Sequence, residues 1–237
     1  MLPRIAQLPL TPFGPGVALV HQVMDPLEEN SAVELLFQAG TTRSDDLRGL
    51  AEVQVLASVM SDAFYEQLRT REQLGYVVSC RADRNEGVFG VVLLVQGVAK
   101  SALEVLERMD AFLATVPDMI RSKTEAEVRQ LAEALAEARL ARPPQMLSAA
   151  ERCWGELRSE EFRWARPLEE AVELRQVRKA QVLEAFQRLI APGGSQRRRL
   201  CSLVVAGALP QLPGAQLITD PQAFARSCPK WPLAREK

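Results

Sequence analysis

A change of hydrophobic period divides the first half of this sequence. From Leu50 to Leu68 the apolar residues Leu50, Val53, Leu56, Ala57, Met60, Phe64 and Leu68 recur every three or four positions. Beyond Gly75 the apolar residues alternate, in Tyr76-Val-Val-Ser-Cys and again in Val88-Phe-Gly-Val-Val-Leu-Leu-Val-Gln. The first pattern is one face of a helix of about five turns; the second is a pair of strands. The spacing predicts a helix over 46–73, capped by Ser44 or Asp45 and stopped by Gly75. Arg81-Ala-Asp-Arg-Asn-Glu-Gly joins the strands as an antiparallel hairpin. The second strand is apolar on both faces from Val91 to Val95, so it should be central and covered.

The rest of the chain follows the same logic. Residues 17–24 and 32–39 read as strands, with Asp25-Pro-Leu-Glu-Glu-Asn-Ser turning between them. Three helices open on Ser/Thr-x-x-Glu capping boxes, at Ser101, Thr124 and Ser148. The first should stop at Pro117 and the second at Arg142-Pro-Pro. A fourth covers about 176–190 and ends at Pro192-Gly-Gly. Leu200-Cys-Ser-Leu-Val-Val is the last strand. The order β-β-α-β-β-α-α-α-α-β gives an α+β fold, a two-layer sandwich with an antiparallel or mixed sheet and helices on one face. Residues 1–16 read as an extended lead-in, 17–207 as one domain and 208–237 as a Pro-rich tail.

Composition narrows the function. Lys+Arg number 29 against 30 Asp+Glu, so no basic field exists for nucleic acid. No run approaches the length of apolar sequence that spans a bilayer. The N-terminal stretch does not read as a secretory signal, so the expected location is the cytoplasm, or the periplasm if the chain is a fragment of a larger secreted one. Cys80, Cys153, Cys201 and Cys228 are far apart and form no CxxC pair, so they read as reduced thiols. The single histidine, His21, cannot build a hydrolytic zinc site alone. Neither HExxH nor HxxEH occurs. In an alternating run, His21 reads as a solvent-facing strand residue.

The densest polar stretch is Phe64-Tyr-Glu-Gln-Leu-Arg-Thr-Arg-Glu-Gln-Leu-Gly-Tyr-Val-Val, at the helix-to-strand junction. Its members have ordinary structural uses. Arg69 and Arg71 suit a helix C-terminus, Glu66 and Arg69 form an i,i+3 pair, and Glu72 and Gln73 support the turn. Yet Leu68-Arg-Thr-Arg-Glu-Gln-Leu-Gly-Tyr resembles the signature in the C-terminal half of the insulinase and pitrilysin metallopeptidases, which are inverzincin zinc proteases. Leu147-Ser-Ala-Ala-Glu-Arg-Cys-Trp-Gly-Glu-Leu, Phe162-Arg-Trp and Arg198-Arg-Arg-Leu-Cys-Ser-Leu-Val-Val resemble later segments of that family, in order, so that the likeness covers about 17–207.

The resemblance implies a LuxS/metallopeptidase-like domain, the non-catalytic last domain of a four-domain peptidase that closes around a peptide. It implies no cofactor in this chain, with zinc held by a partner N-terminal half or subunit that bears HxxEH. It implies that Arg69 and Tyr76 contact the substrate backbone and assist catalysis at that partner's site. One branch of the family acts in pyrroloquinoline quinone biosynthesis, and the Ala/Leu/Arg-rich composition suits a GC-rich bacterial gene; a general peptide-degrading branch is equally compatible. The alternative is an inactive peptide-binding or scaffold subunit. A piece of a larger assembly should also expose an apolar patch where its sister domain packs.

Overall fold

The expected hairpin seeds the sheet: β3 (Val77–Asn85) pairs antiparallel with β4 (Val88–Gly97). The structure, a computed structural model, describes residues 18–24, 29–42, 46–85, 87–205 and 215–227. β4 continues antiparallel onto β2 (Ser31–Thr41), which pairs antiparallel with β5 (Arg199–Val205). β5 pairs in parallel with β1 (Ala18–Met24), and β1 in parallel with β6 (Ala215–Ile218). The six-stranded mixed sheet therefore runs β3-β4-β2-β5-β1-β6. β4 lies inside it, and Phe89, Val91, Val92, Leu93 and Val95 are all buried.

One face of the sheet carries the core. Val33, Leu35, Phe37, Val78, Cys80, Phe89, Leu93, Cys201 and Leu203 cluster with the buried stripes of the helices. Those helices are α1 (Leu47–Tyr65), α2 (Ala102–Ser122), α3 (Glu125–Leu140), α4 (Met146–Ser159), α5 (Arg166–Gln176) and α6 (Lys179–Leu189). Phe64 of α1 meets Phe112 of α2 edge to face, 5.1 Å between ring centroids. A short α7 (Pro221–Ser227) follows β6. The molecule is thus α+β, as the element order requires. Among the described residues, no helix is long and apolar enough to cross a membrane.

Several local expectations need correction. Asp46 caps α1 by accepting from the Gly49 N–H at 2.8 Å; Ser44 and Asp45 lie outside the described residues. The helix expected over 46–73 leaves α geometry at Tyr65 and continues as a π-helical segment, Glu66–Arg71. α2 does not stop at Pro117 but runs five residues beyond it. Phe112, Val116 and Ile120 are fully buried around that proline, and their packing outweighs the missing backbone bond. Ser101 and Thr124 form the capping boxes expected of them. Ser148, by contrast, sits inside the first turn of α4, which begins at Met146 without a side-chain cap. α5 was invisible to periodicity because it buries only Ala171 and Leu174 among apolar residues. The Pro-rich stretch after 208 contributes β6 and α7.

Candidate functional site

Arg69 and Tyr76 occupy the corner between α1 and β3. The corner is a tight, pinned piece of backbone. In the π-helical segment the Glu72 N–H donates to the Gln67 carbonyl at 2.9 Å, one residue further back than in an α-helix. The Leu74 N–H then donates to the Leu68 carbonyl at 2.9 Å. Leu68 and Leu74 are buried and anchor both ends of the turn. Gln73 adopts a positive φ of 52°, a conformation that non-glycine residues adopt only where their surroundings impose it.

Gly75 is needed here for room rather than for a left-handed cap. A Cβ on it would lie 2.2 Å from the Gln96 carbonyl oxygen, and one on Gly97 would lie 2.5 Å from the Gly75 Cα. Two glycines thus let the incoming chain touch the end of β4. The Tyr76 N–H then donates to the Gln96 carbonyl at 2.9 Å, and β3 begins.

Tyr76 is 54% exposed. Its hydroxyl donates to Asn30 Oδ1 at 2.9 Å and accepts from Gln96 Nε2 at 2.9 Å. Gln96 lies beside Val77 and Ala32 in the strand register, so the phenol sits where β2 begins, β4 ends and β3 begins. Arg69 is half-buried. Among the described residues no carboxylate or hydrogen-bond acceptor holds its guanidinium, whereas Arg71 pairs with Glu66 at 3.3 Å. Glu72 is fixed from behind by a two-pronged bond from Arg108, at 2.7 and 2.8 Å, and by Gln67 Nε2 at 3.0 Å. The Arg108 hydrogen bond holds the Glu72 carboxyl below its ordinary pKa. The corner therefore offers one uncommitted cation and one accessible phenol on a braced turn. Asn30 and Gln96 escaped the sequence reading. A polar residue closing the apolar run Val91 to Val95 was the one available signal.

Other candidate groups stand apart. His21 is a half-buried β1 residue beside Ser202 and Ile218. Cys80 and Cys201 are buried free thiols, their pKa values pushed up to about 12 by burial, and Cys153 is an exposed free thiol. Cys228 lies outside the described residues. Among the described residues, no group of three or more His, Cys, Asp or Glu side chains is placed to hold a metal ion.

A second polar constellation lies at the far end of β3. Arg166 of α5 donates through Nε to Glu156 of α4, and through Nη2 to Glu156 at 3.0 Å and Glu161 at 2.7 Å. Arg84 of β3 reaches Glu161 at 3.1 Å and Glu156 at 3.4 Å, and the Thr42 hydroxyl donates to Glu161 at 3.0 Å. Burial disfavours the Glu156 charge, but Arg166, the Arg163 N–H and Arg84 outweigh it, so its pKa is lowered. Burial likewise opposes the Arg166 charge, and the two glutamates outweigh that and raise its pKa.

A family model described as PQQ synthase PqqF-like, C-terminal lobe domain 4, matches residues 55–154. Human insulin-degrading enzyme is 24% identical over 91% of this chain and 23% of its own length. A nardilysin-like protein of Arabidopsis thaliana is 25% identical over 94% of this chain and 23% of its own. The chain thus spans less than a quarter of the relatives it matches. The crystal structure of pitrilysin superimposes with a TM-score of 0.76 over 94% of this chain and 24% of that one, at 17% identity, and so shares the fold.

Proposed function

We propose that this chain is a C-terminal domain of the insulinase/pitrilysin metallopeptidase family, a reading its similarity to those proteins supports, and that it forms one wall of the peptide chamber of a zinc endopeptidase. The zinc belongs to an HxxEH-bearing half or subunit that docks with this chain. Arg69 and Tyr76 are its contribution to the chemistry. The observation that carries this reading is the corner itself: a guanidinium with no protein partner among the described residues and an exposed phenol, carried by the same braced helix-to-strand connection.

Peptide hydrolysis builds negative charge on the scissile carbonyl oxygen. Fixed donors aimed at that oxygen, or at neighbouring carbonyls, lower the barrier. Arg69 stays charged and has five N–H donors. The Tyr76 hydroxyl has one, at present given to Asn30. Work on a substrate requires that the phenol exchange Asn30 for a substrate carbonyl, with Gln96 still donating to its oxygen. The family model's description favours a precursor peptide of pyrroloquinoline quinone biosynthesis as the substrate.

The engaged Tyr76 hydroxyl also favours a second reading, an inactive subunit that binds peptide or scaffolds a partner. Mixing this chain with an HxxEH-bearing half and following an internally quenched peptide separates the two. Zinc-dependent cleavage by the mixture, with none from this chain alone, is expected. Peptide binding without cleavage would favour the scaffold, and cleavage by this chain alone would overturn both.

A further inference from the structure

The sheet has a second face, turned away from the helices. Successive residues of a strand point to opposite sides. Val20, Val33, Leu35, Leu93, Val95 and Cys201 belong to the helix-side core, so His21, Glu34, Leu94, Gln96 and Ser202 lie on the other side. The strand register sets their order. Glu34 is level with Leu94 on β4 and with Ser202 on β5, and Ser202 is level with His21 on β1. In the next row Leu36 is level with Val92 and Leu200. Leu36, Leu94 and Leu200 are half-buried, and Val92 is buried although it is no part of the helix-side core. This face therefore has an apolar floor with one carboxylate set into it.

Glu34 is half-buried, and among the described residues its carboxylate has neither a hydrogen bond nor an ion pair. Arg81 of the same face stands two strands away and two positions along, and His21 two strands away with Ser202 between. A half-buried charge among apolar side chains is costly without a counter-charge. The group that supplies one to a carboxylate in a peptide is a Lys or Arg side chain. Glu34 is also one diagonal step from Gln96, which is level with Ala32, two residues earlier on β2. Such diagonal neighbours are about 7–8 Å apart, a span that extended peptide covers in about two residues. Gln96 in turn donates to the Tyr76 hydroxyl at 2.9 Å, so the carboxylate and the corner adjoin one surface.

Building on the peptide-chamber reading, we propose that Glu34 determines specificity: a substrate gripped at the corner lays a Lys or Arg side chain on Glu34, about two residues from the carbonyl that Tyr76 receives, with its apolar neighbours on Leu36 and Leu94. Acetyl-Ala-Leu-Lys-Leu-Ala-amide and its analogues with norleucine or Glu at the centre test this on the full chain. Calorimetry gives the affinities. Fluorine NMR of the chain carrying 3-fluorotyrosine at its two tyrosines reads contact with the corner, with Tyr65→Phe assigning the Tyr76 signal. The Lys probe should bind about tenfold tighter than the norleucine probe, the worth of one charge-assisted bond, and should shift the Tyr76 signal. Glu34→Gln should bring that ratio to about one with Tm unchanged, because the carboxylate holds no other group among the described residues. Equal binding of the Lys and norleucine probes, or a preference that survives Glu34→Gln, would overturn the role of Glu34, while a shift of Tyr76 by both probes would leave the corner standing. Tightest binding of the Glu probe would overturn it too and assign the face to anions through Arg81. A Glu34-dependent preference with Tyr76 unmoved would uphold the basic subsite and count against the corner instead. Binding of no probe would overturn both.

Discussion

The Tyr76 hydroxyl has a single proton, and Asn30 receives it. Any catalytic use of that phenol therefore begins with an exchange of partners, and Arg69, held by no carboxylate among the described residues, is the readier donor. In an assembled peptidase, Arg69→Ala and Tyr76→Phe should each lower turnover by about 10²–10³-fold with thermal unfolding unchanged. Unaltered cleavage by both variants would remove the corner from the chemistry. Gly75→Ala acts differently. Its Cβ meets main chain at 2.2 Å, which no rotamer change relieves, so stability should fall by about 1–3 kcal/mol in denaturant titrations and Tyr76 should shift with the strand. Arg69 and Tyr76 were legible in the sequence because their motif is contiguous. Asn30 and Gln96 were not, because they lie 46 and 20 residues away in the chain and only strand register unites them.

Among the elements, α2 contains the clearest conflict between local rule and tertiary packing. Pro117 forgoes its bond to the Leu113 carbonyl, yet the helix continues, since Phe112, Val116 and Ile120 are fully buried. Pro117→Ala should raise stability by up to about 3 kcal/mol, visible as a higher Tm; a lower Tm would show that the helix needs the proline's geometry. The start of α2 is acid-sensitive. The Ser101 N–H and hydroxyl bind the Glu104 carboxylate and depress its pKa from 4.5 to about 2. A depressed carboxylate stabilises the fold above its unfolded value and loses that effect as pH falls, here between 4.5 and 2. Ser101→Ala should flatten the stability–pH slope in that window. Capping boxes, the hairpin and the interior strand were readable because each is a short-range pattern. The π-helical segment was not: one extra residue in a turn leaves a 3–4 periodicity intact. α5 was missed because half of its buried face is Arg166 and Glu170, held by charge, which leaves only Ala171 and Leu174 as apolar signal.

At the scale of the molecule, the Arg84–Glu156–Arg166–Glu161 network and Thr42 tie two strand ends to α4 and α5. Glu156→Gln would leave buried arginines short of a counter-charge, and a loss of about 3–5 kcal/mol is expected, measured by urea unfolding. A loss below about 1 kcal/mol, the range of surface pairs, would mean that solvent reaches the network. Sheet order carries a further consequence. Among the described strands, β1 comes first in the sequence but pairs with β5 and β6, which both follow α6. On the ribosome, the β2–β4–β3 meander and its helices can form as they emerge, while β1 waits and β2 keeps a bare edge. Until Arg199 and the residues after it leave the exit tunnel, the nascent protein therefore presents an unfinished sheet to chaperones and proteases.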